Sequence, residues 1–538
     1  MKTYLTIISF ALLAALASCA EKLELEPANA ISTEQIREIL ASGDEEKIDL
    51  VIGGIANSLP LEIHKVLTHG GQADARVNSP LRLQYVNSLL GYDIVCGDAS
   101  IKGYGVEAYT SHSTRGSASS STQNEPYWVY GWKCIVAANK LLYYMPEAVD
   151  NAKVKDYKAR ALTLRAYGYS FLMENYRGAY TEGGAGLMIY DKMGEGTYKP
   201  YSTAKETYDF IKQDLAEATR LFAEAGIGEA KDGYTADIKD IDLGVANFVL
   251  ARVSLLTGDY TTAISACSSI LTKYPNLIAR EYYGGKNISP AADPYADPYF
   301  EAESNAFLLF SHNPEVIFGF EGVSDYRNVA FEWLNVFGTG YGGASGNYGR
   351  IVSTLYDAIP AADVRKGIFL DGTTTFPAHV YPTSPEVTMA VPTYSNLKFA
   401  ATHVNGASDR VALSTFDVCY MRASEALLMK AEAEAKSGGE AAAKATLNTL
   451  LAARTKAGET SLTCDSYGAS GSVLDLVKLQ WRIEMWGENG LEYYNNKRWG
   501  VSVTRNPATS NHWDNSTISV GNMTLEIPAN ETLYNPNL

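Results

Sequence analysis

The sequence predicts a mainly α fold in which tetratricopeptide-like pairs of helices form a scaffold and a long, irregular, loop-rich insertion packs on it. Two observations carry this prediction. Apolar residues recur at the helical period in two blocks, about 127–275 and about 418–490. The segment between them, about 275–415, is rich in Gly, Pro, Asn and Tyr. An irregular segment of this length inside a helical scaffold tends to be functional.

The first block is interpreted as five helices. Trp128, Trp132 and Asn139 lie on one face of the first helix, which Pro146 ends. Thr203 and Glu206 have the spacing of a capping box at the start of the third helix. The approximate ranges of the second to fifth helices are 153–177, 203–223, 243–257 and 259–273.

The last two helices of this block have the layout of one tetratricopeptide repeat. Gly258-Asp259 separates them, and small Ala residues on both sides would let the two helices approach closely. A second pair is expected at 418–437 and 439–455, followed by a last helix over about 473–488. We therefore expect residues 31–538 to form a single domain.

The N-terminus has the pattern of an export signal. Residues 1–18 contain an apolar run that is too short to span a bilayer and is typical of a signal peptide. The run ends in Leu16-Ala17-Ser18-Cys19, which resembles the bacterial lipobox, so Cys19 is predicted to be diacylated and to become the mature N-terminus. The polar, acidic residues 19–30 would then form a lipidated tether.

The charge balance excludes two classes of partner. The chain has 45 Lys and Arg against 61 Asp and Glu, a net charge of −16. Such an acidic chain is not expected to bind nucleic acid or an anionic membrane patch. The 36 Tyr, against 16 Phe and 7 Trp, favour a surface that presents aromatic faces with polar tips.

Motifs for catalysis, cofactors and metals are missing. The sequence has no G-x-S-x-G, H-E-x-x-H or Walker A pattern, and we predict no cofactor and no metal site. The acidic stretch 293–303 is interpreted as a solvated loop and not as a Ca²⁺ site. Gly338, Gly340 and Gly343 match a dinucleotide fingerprint, but no alternating strands and helices surround them. We interpret this stretch as a glycine-rich loop that presents tyrosines.

The cysteines predict no disulfide framework. Besides Cys19 there are five, an odd number at wide spacing without a C-x-x-C pair. Cys134, Cys267 and Cys419 fall in helical patterns and are expected to be small buried residues.

Several local patterns occur in one order along the chain and resemble those of the SusD/RagB family of outer-membrane nutrient-binding lipoproteins of Bacteroidetes type. They begin with the lipobox and acidic tether and continue to the last residues. The most specific are Ala159–Tyr169 (ARALTLRAYGY), Tyr208–Leu215 (YDFIKQDL), Arg422–Ala433 (RASEALLMKAEA), Arg482–Gly490 (RIEMWGENG) and Lys497–Gly500 (KRWG).

This resemblance implies a SusD-like fold and a binding protein without catalysis. Such a protein would capture oligosaccharides at the cell surface and deliver them to a SusC-like TonB-dependent transporter. It would be held to the outer membrane by its lipid anchor and face the extracellular side. Within the resemblance, Arg165, Arg422, Glu425 and Arg482 are expected to make internal ion pairs.

The resemblance also places the binding site on two loop regions, 71–125 and 275–350. A tyrosine ring offers a flat apolar face for a sugar ring and a hydroxyl for its polar groups. The candidate ligand-binding residues are Tyr92, Tyr104, Tyr109, Tyr282, Tyr283, Tyr295, Trp333, Tyr341, Tyr348, Asp74 and Arg76.

Two alternatives remain open at this point. A peptide-binding, RagB-like protein would use loop backbone and charged side chains in place of an aromatic platform. A surface glycoside hydrolase needs two carboxylates, which have no required spacing in sequence. A hydrolysis assay separates the second alternative, and salt dependence separates charged ligands from neutral sugars.

Overall fold

The computed structural model describes most of the chain from residue 31 onward. The described ranges are 31–64, 68–69, 72–73, 80–95, 121–146, 150–194, 198–226, 236–284, 286–287, 300–301, 305–321, 349–373, 376–381, 384–391, 393–399, 417–468, 471–535 and 537. Cys19, the predicted signal peptide and the predicted tether lie outside them.

The mainly α fold is confirmed. The helices of the described residues are α1 (Thr33–Ser42), α2 (Glu45–Ile48), α3 (Gly54–Ile63), α4 (Pro80–Leu89), α5 (Ser121–Tyr144), α6 (Ala152–Tyr176), α7 (Ala204–Ala225), α8 (Leu243–Thr257), α9 (Tyr260–Lys273), α10 (Ser353–Asp357), α11 (Ala423–Lys436), α12 (Glu440–Ala453), α13 (Val473–Glu484), α14 (Leu491–Trp499) and α15 (Ala529–Tyr534). Among the described residues, none of these helices combines the length and the hydropathy needed to cross a bilayer.

The described strands are short and pair two by two, always antiparallel. They are β1 (Thr68–His69) with β2 (Gln72–Ala73), β3 (Ile94–Val95) with β7 (Arg350–Ile351), β4 (Lys286–Asn287) with β5 (Phe300–Glu301), β6 (Val316–Phe320) with β10 (Val418–Arg422), β8 (Phe376–Tyr381) with β9 (Ser384–Val391), and β11 (Val503–Thr504) with β12 (Thr517–Ile518).

The helices stack on one another in a continuous series. α6 packs on α5 and α7, and α8 packs on α7 and α9. α9 then packs directly on α11, which packs on α12 and α13. The two helical blocks of the sequence are therefore joined side by side, and the chain between α9 and α11 leaves the stack and returns to it.

Local signals placed the helix ends of the first block well. α7 begins at Ala204, with the Thr203–Glu206 capping box formed as predicted. α5 ends two residues before Pro146. Gly258 separates α8 from α9 with φ +80°, a conformation that favours glycine.

Two predicted helices are wrong at their ends. Residues 418–422 were expected to be helical but form β10, which pairs with β6. A short apolar run cannot be distinguished from a helix by its period alone, and here the partner strand decides. The helix expected over 473–488 ends at Glu484, and Gly487 and Gly490 follow with positive φ before α14 begins.

The burial of the cysteines depends on the helices and the strand in which they lie. Cys134 and Cys267 are buried in helices, as predicted. Cys419 was expected in a helix but lies in β10 and is half-buried. Within the described part of the chain, Cys267, Cys419 and Cys464 form no disulfide.

A cluster of buried charges joins the insertion to the helices. Arg422 contacts Glu315 at 2.7 Å, Glu484 at 2.9 Å and Glu488 at 2.7 Å. Four cations and four anions meet here, and each side chain is at most 7 % exposed. We call them the buried charge cluster: Glu315, Asp363, Arg365, Lys398, Arg422, Arg454, Glu484 and Glu488.

Burial and charge act against each other in this cluster. Burial favours the neutral form of Glu484, but Arg454 and Arg422 outweigh it and hold the pKa of Glu484 well below its usual range. Burial lowers the pKa of Lys398 to about 8, although Glu488 opposes the shift. The Lys398 ammonium donates hydrogen bonds to the backbone carbonyls of Glu484 and Trp486 and to the Glu488 carboxylate.

The predicted internal ion pairs are confirmed. Arg422 lies in the buried charge cluster, and Arg165 on α6 contacts Asp214 on α7 at 2.7 Å. Glu425 pairs with Arg252, and Arg482 pairs with Asp93. Each pair joins two separate elements, so these residues serve the scaffold.

Candidate ligand-binding site

Four short pieces of chain meet through backbone hydrogen bonds and form the base of the predicted binding loops. β3 pairs with β7, and the Ile351 N–H of β7 donates to the Tyr394 carbonyl at 3.0 Å. The Leu370 N–H donates to the Ser395 carbonyl at 2.9 Å. We call residues 94–95, 350–351, 368–371 and 394–397 the loop base.

The loops predicted to bind ligand are attached to this base. Val95 pairs with Arg350, so the segment that follows residue 95 and the segment that precedes residue 349 start from adjacent points. The chain between residues 373 and 393, which contains the β8–β9 hairpin, also leaves and rejoins the base. The segment after residue 399 leaves from beside it. Loops held by a rigid scaffold at one place are a common way to build a binding site.

The C-terminal helices hold the first strand of the base. The Glu492 carboxylate on α14 accepts from the backbone N–H of Tyr92 at 2.5 Å and of Asp93 at 3.0 Å. Arg482 on α13 pairs with the Asp93 side chain. Burial raises the pKa of Glu492 to about 8, the Asp93 charge adds to the rise, and Arg482 opposes it.

A cavity beside this anchor is too small for a sugar. Asp93, Arg482, Glu488 and Glu492 are among the residues that line it. It measures about 10 Å³, which is room for one water molecule. Half-buried aromatic side chains also lie at the loop base.

Tyr92 is a sequence candidate that lies at the loop base. Its side chain is half-buried, and its hydroxyl accepts from the Thr354 hydroxyl at 3.4 Å. The His512 ring lies 5.2 Å away, centroid to centroid. The ring is therefore held in place and keeps part of its surface exposed.

Tyr282 and Tyr283 are neighbours with different surroundings. Tyr282 is half-buried and stacks on His312 at 4.2 Å. Tyr283 is only 3 % exposed, with the Arg454 guanidinium 4.4 Å above its ring and Phe307 at its edge. The candidate Tyr283 is a core residue with no free face for a sugar, and we remove it from the ligand-binding set.

The other sequence candidates lie outside the described residues. They are Asp74, Arg76, Tyr104, Tyr109, Tyr295, Trp333, Tyr341 and Tyr348. Tyr104 and Tyr109 belong to the segment that follows β3, and Trp333, Tyr341 and Tyr348 belong to the one that precedes β7. The pairing of β3 with β7 brings the point where the first segment begins close to the point where the second segment ends.

The structure adds two tyrosines that the sequence analysis missed. Tyr356 on α10 and Tyr394 in the loop base are both half-buried, with ring centroids 5.5 Å apart and planes at 77°. Both belong to the irregular insertion, but they lie beyond residue 350, the end of the second loop region that was expected to bind ligand. Thirty-eight positions of chain separate them, so no local pattern pairs them.

The backbone of Tyr394 is strained. Its φ is +64°, a conformation that side chains other than glycine rarely adopt and that costs about 1–3 kcal/mol. Hydrogen bonds hold it there, because its N–H donates to the Asp371 carbonyl and its own carbonyl accepts from Ile351. A Cβ atom at Gly372 would lie 2.3 Å from the Tyr394 hydroxyl oxygen, so a side chain at position 372 would displace the tyrosine ring.

The tyrosine pair has charged neighbours of both signs. Burial is the main cause that raises the pKa of both hydroxyls, and Asp357 and Asp371 raise each of them further. Lys366 lies 4.4 Å from the centre of the Tyr356 ring and donates to the carbonyls of Tyr356 and Ile359. Lys366 therefore covers one face of Tyr356.

Metal ligands do not gather in the residues that the structure describes. Within those ranges, no three His, Cys, Asp or Glu side chains are placed to hold an ion. The acidic stretch 293–303 falls largely outside them.

Fold and site together define a class of protein, a helical-repeat scaffold from which long segments of chain leave and return at one base. Two family models match the chain. One, described as "SusD family", matches residues 369–535, and the other, described as "Starch-binding associating with outer membrane", matches residues 95–227. Together they span more than half of the chain.

Solved structures agree with these matches. A SusD-like carbohydrate binding protein from Bacteroides vulgatus is 22% identical, with 92% of this chain and 97% of that chain covered and a TM-score of 0.62. A SusD superfamily protein from Bacteroides thetaiotaomicron is 19% identical, with 92% and 98% covered and a TM-score of 0.63. Another, from Parabacteroides distasonis, is 16% identical, with 92% and 98% covered and a TM-score of 0.63. A search of the curated proteins gave no match.

The chain belongs to the SusD family. The resemblance to SusD/RagB proteins that its motifs indicate is confirmed, and so is the SusD-like helical fold.

Proposed function

We propose that this protein captures oligosaccharides at the cell surface and delivers them to a SusC-like TonB-dependent transporter, without catalysis. The observation that carries the proposal is the loop base, where loops rich in tyrosine start from paired strands next to half-exposed aromatic rings. Membership of a family of carbohydrate-binding and nutrient-binding proteins supports the same function.

Tyrosine-rich loops suit neutral, hydroxyl-rich ligands. An aromatic ring packs against the apolar face of a sugar, while its hydroxyl and nearby Asp or Asn side chains bond to sugar hydroxyls. Tyr92, whose ring is held in place by Thr354 and His512, is one of the proposed contact residues. The other proposed contact residues are Tyr104, Tyr109, Tyr282, Tyr295, Trp333, Tyr341, Tyr348, Asp74 and Arg76.

The proposed location is the extracellular side of the outer membrane. The match to a family described as associating with the outer membrane supports it. Diacylation of Cys19 would anchor the protein, and residues 19–30 would tether the domain. We propose that the helical scaffold contacts the transporter and leaves the loop base open to ligand.

The test is retardation of the soluble form that lacks residues 1–19 in gels that each contain one polysaccharide. Trp333→Ala and Tyr341→Ala run beside it. Retardation by a glycan that either substitution weakens would support capture through the insertion. Retardation that both variants keep would retain the function and shift the site to the segment after β3.

The same experiment can contradict the proposal. If no glycan retards the protein but protein digests bind to it, the ligand is a peptide. If a retarding glycan is shortened during incubation, as detected by release of reducing ends, the protein is a hydrolase.

A further inference from the structure

The outer face of α5 carries a stripe in which apolar and basic side chains alternate. Five exposed residues lie there at helical spacing: Val129, Lys133, Val136, Lys140 and Tyr143. Steps of three and four positions keep side chains on one face of a helix, so the five form one line along α5. We call them the α5 stripe.

The α5 stripe lies at one end of the helical stack. α5 stands at the start of the series that continues through α6, and helices of the N-terminal residues 31–64 pack on it. Residues 188–201 lie along its flank, because the Asn139 side chain of α5 donates to the Tyr190 carbonyl at 2.9 Å. α15 lies there too, since the Trp128 indole of α5 donates to one of its carboxylates at 3.2 Å.

Exposed apolar side chains are concentrated at this end. Of the large hydrophobic residues that are exposed in the described ranges, all but Val501 belong to these elements: Ile31, Leu50, Leu61, Val129, Val136, Tyr143, Met193, Tyr198 and Leu533. The terminal unit of a stack of helical repeats needs a polar outer face if it is to meet only water. A concentration of exposed apolar residues rimmed by polar ones marks an interaction surface.

The charge of the α5 stripe is opposite to that of the whole chain. The exposed charged residues of α5 in the described ranges are Lys133 and Lys140, whereas the net charge of the chain is −16. α1 presents Glu34 and Glu38, so the basic part of this face is confined to α5. A second copy of the chain does not fit, because two antiparallel stripes that cross at Val136 would bring lysines together. The matching surface is apolar and anionic.

The predicted lipid anchor joins the domain at the end of this stripe. The tether, residues 19–30, leads into Ile31, which is 52% exposed, and then into α1. On α1, Arg37 donates to the Tyr143 carbonyl at 2.9 Å, and its guanidinium lies 5.4 Å from the centre of the Tyr143 ring. A tether of this length spans at most about 40 Å, so acylated Cys19 would hold this end of the stack close to the bilayer.

We propose that the α5 stripe lies on the lipid surface of the outer membrane and binds phosphate-bearing lipid headgroups. The inference rests on the location given under the proposed function. The lysines pair with lipid phosphates, and the valine and tyrosine side chains enter the interfacial layer. Because the anchor makes this contact intramolecular, a weak intrinsic affinity is enough to orient the domain on the membrane.

The test is flotation of the soluble form that lacks residues 1–19 with lipid vesicles at low ionic strength. Vesicles of phosphatidylglycerol and phosphatidylethanolamine in equal parts are compared with vesicles of phosphatidylcholine alone. We expect binding to the anionic vesicles, and its loss in high salt. Lys133→Gln with Lys140→Gln should weaken this binding about thirtyfold, since each lysine at an anionic surface contributes about fivefold. Val136→Ser should weaken it about threefold, because less apolar surface leaves water.

Two matched variants control for lost charge and for lost apolar surface. Lys205→Gln with Lys444→Gln removes two exposed lysines from α7 and α12. Val501→Ser changes the exposed valine that lies outside this end of the stack. Both controls should float as the wild type does. All of these variants should keep the wild-type melting temperature, because every changed side chain is exposed.

The outcomes separate the membrane contact from glycan capture. Wild-type protein that floats with neither kind of vesicle would overturn the contact, and retardation by a glycan would still support the proposed function. Equal losses in the stripe variants and the controls would overturn the assignment to the α5 stripe.

A protein partner on this face would give a different result. Stripe variants that float as the wild type does, but no longer copurify with the co-expressed SusC-like transporter, would overturn the proposal and assign the face to the transporter. Wild-type protein that floats with anionic vesicles but is retarded by no glycan would overturn glycan capture and leave the membrane contact standing.

Discussion

The buried charge cluster and the loop base are neighbours, and one stretch of chain serves both. Residues 394–397 belong to the loop base, and Lys398 belongs to the cluster. In the cluster, charged groups with at most 7 % exposure are matched by partners of opposite sign. In the loop base, tyrosine rings stay half-exposed and one backbone is strained. One region is closed to solvent, and the other keeps part of its aromatic surface exposed.

The difference between the two regions predicts which substitutions will lower stability. Removing one partner of a buried ion pair leaves an uncompensated charge in the protein interior. Removing a half-exposed ring costs part of its packing and leaves no charge behind. Stability should therefore depend on the cluster, and ligand binding on the loop base.

The largest effect is expected for Glu484→Ala. Glu484 accepts from Arg365, Arg422 and Arg454, so its loss leaves three buried guanidinium groups short of a partner. We expect the free energy of unfolding to fall by about 3–5 kcal/mol, measured by urea denaturation. Glu484→Gln keeps the shape and part of the hydrogen bonding, and should cost less. A loss below about 1 kcal/mol for Glu484→Ala would show that the cluster does not hold the fold.

The adjacent residues Tyr283 and Tyr282 test whether the cost of losing a tyrosine ring depends on its burial. Tyr283→Ala removes a buried ring and should lower the free energy of unfolding by about 3–5 kcal/mol. Tyr282→Ala removes a half-exposed ring that stacks on His312 and should cost about 1 kcal/mol. Thermal melts of both variants measure the difference, and equal losses would contradict the assignment of Tyr283 to the core.

Lys398→Met should change how stability depends on pH. The pKa of Lys398 is lowered from 10.5 to about 8 by burial, so the unfolded chain binds more protons than the folded chain between these two values. This lysine therefore makes wild-type stability rise with pH from about 8 to 10.5, by at most about 1.4 kcal/mol per pH unit. Urea denaturation across this range should give a less positive slope for Lys398→Met. Equal slopes would contradict the lowered pKa.

The smallest effect is expected for an ion pair on the helix surface. Lys205 and Asp209 on α7 contact at 2.6 Å, but their side chains are 51% and 50% exposed. Water and salt screen such a pair, so Lys205→Ala should leave the urea midpoint unchanged within the error of the measurement. A loss as large as that of Glu484→Ala would remove the distinction between buried and exposed pairs.

The helix ends of the first block were the part of the fold that the sequence predicted best. The capping box at Thr203 and the glycine between α8 and α9 depend on residues within a few positions of each other. The strand β10 was missed because its partner β6 lies far away in the sequence. For the site, the sequence predicted two loop regions and candidate residues within them. It did not predict the contact between Tyr356 and Tyr394, which come together through the loop base and through no local pattern.

By itself, the sequence determined the helical pairs and the family motifs, because these are encoded in short stretches with a fixed spacing. The resemblance carried by those motifs implied the scaffold role of Arg422, and the lipidation of Cys19 stays a prediction. Only the tertiary structure decided that Arg422 meets Glu315 across 107 positions and Glu484 across 62, that Tyr283 lies inside and Tyr282 at the edge, and that Tyr394 carries a strained backbone. The physical reason is that caps and helical periods depend on neighbours along the chain. Burial, charge pairing and ring contacts depend on segments that only the folded chain brings together.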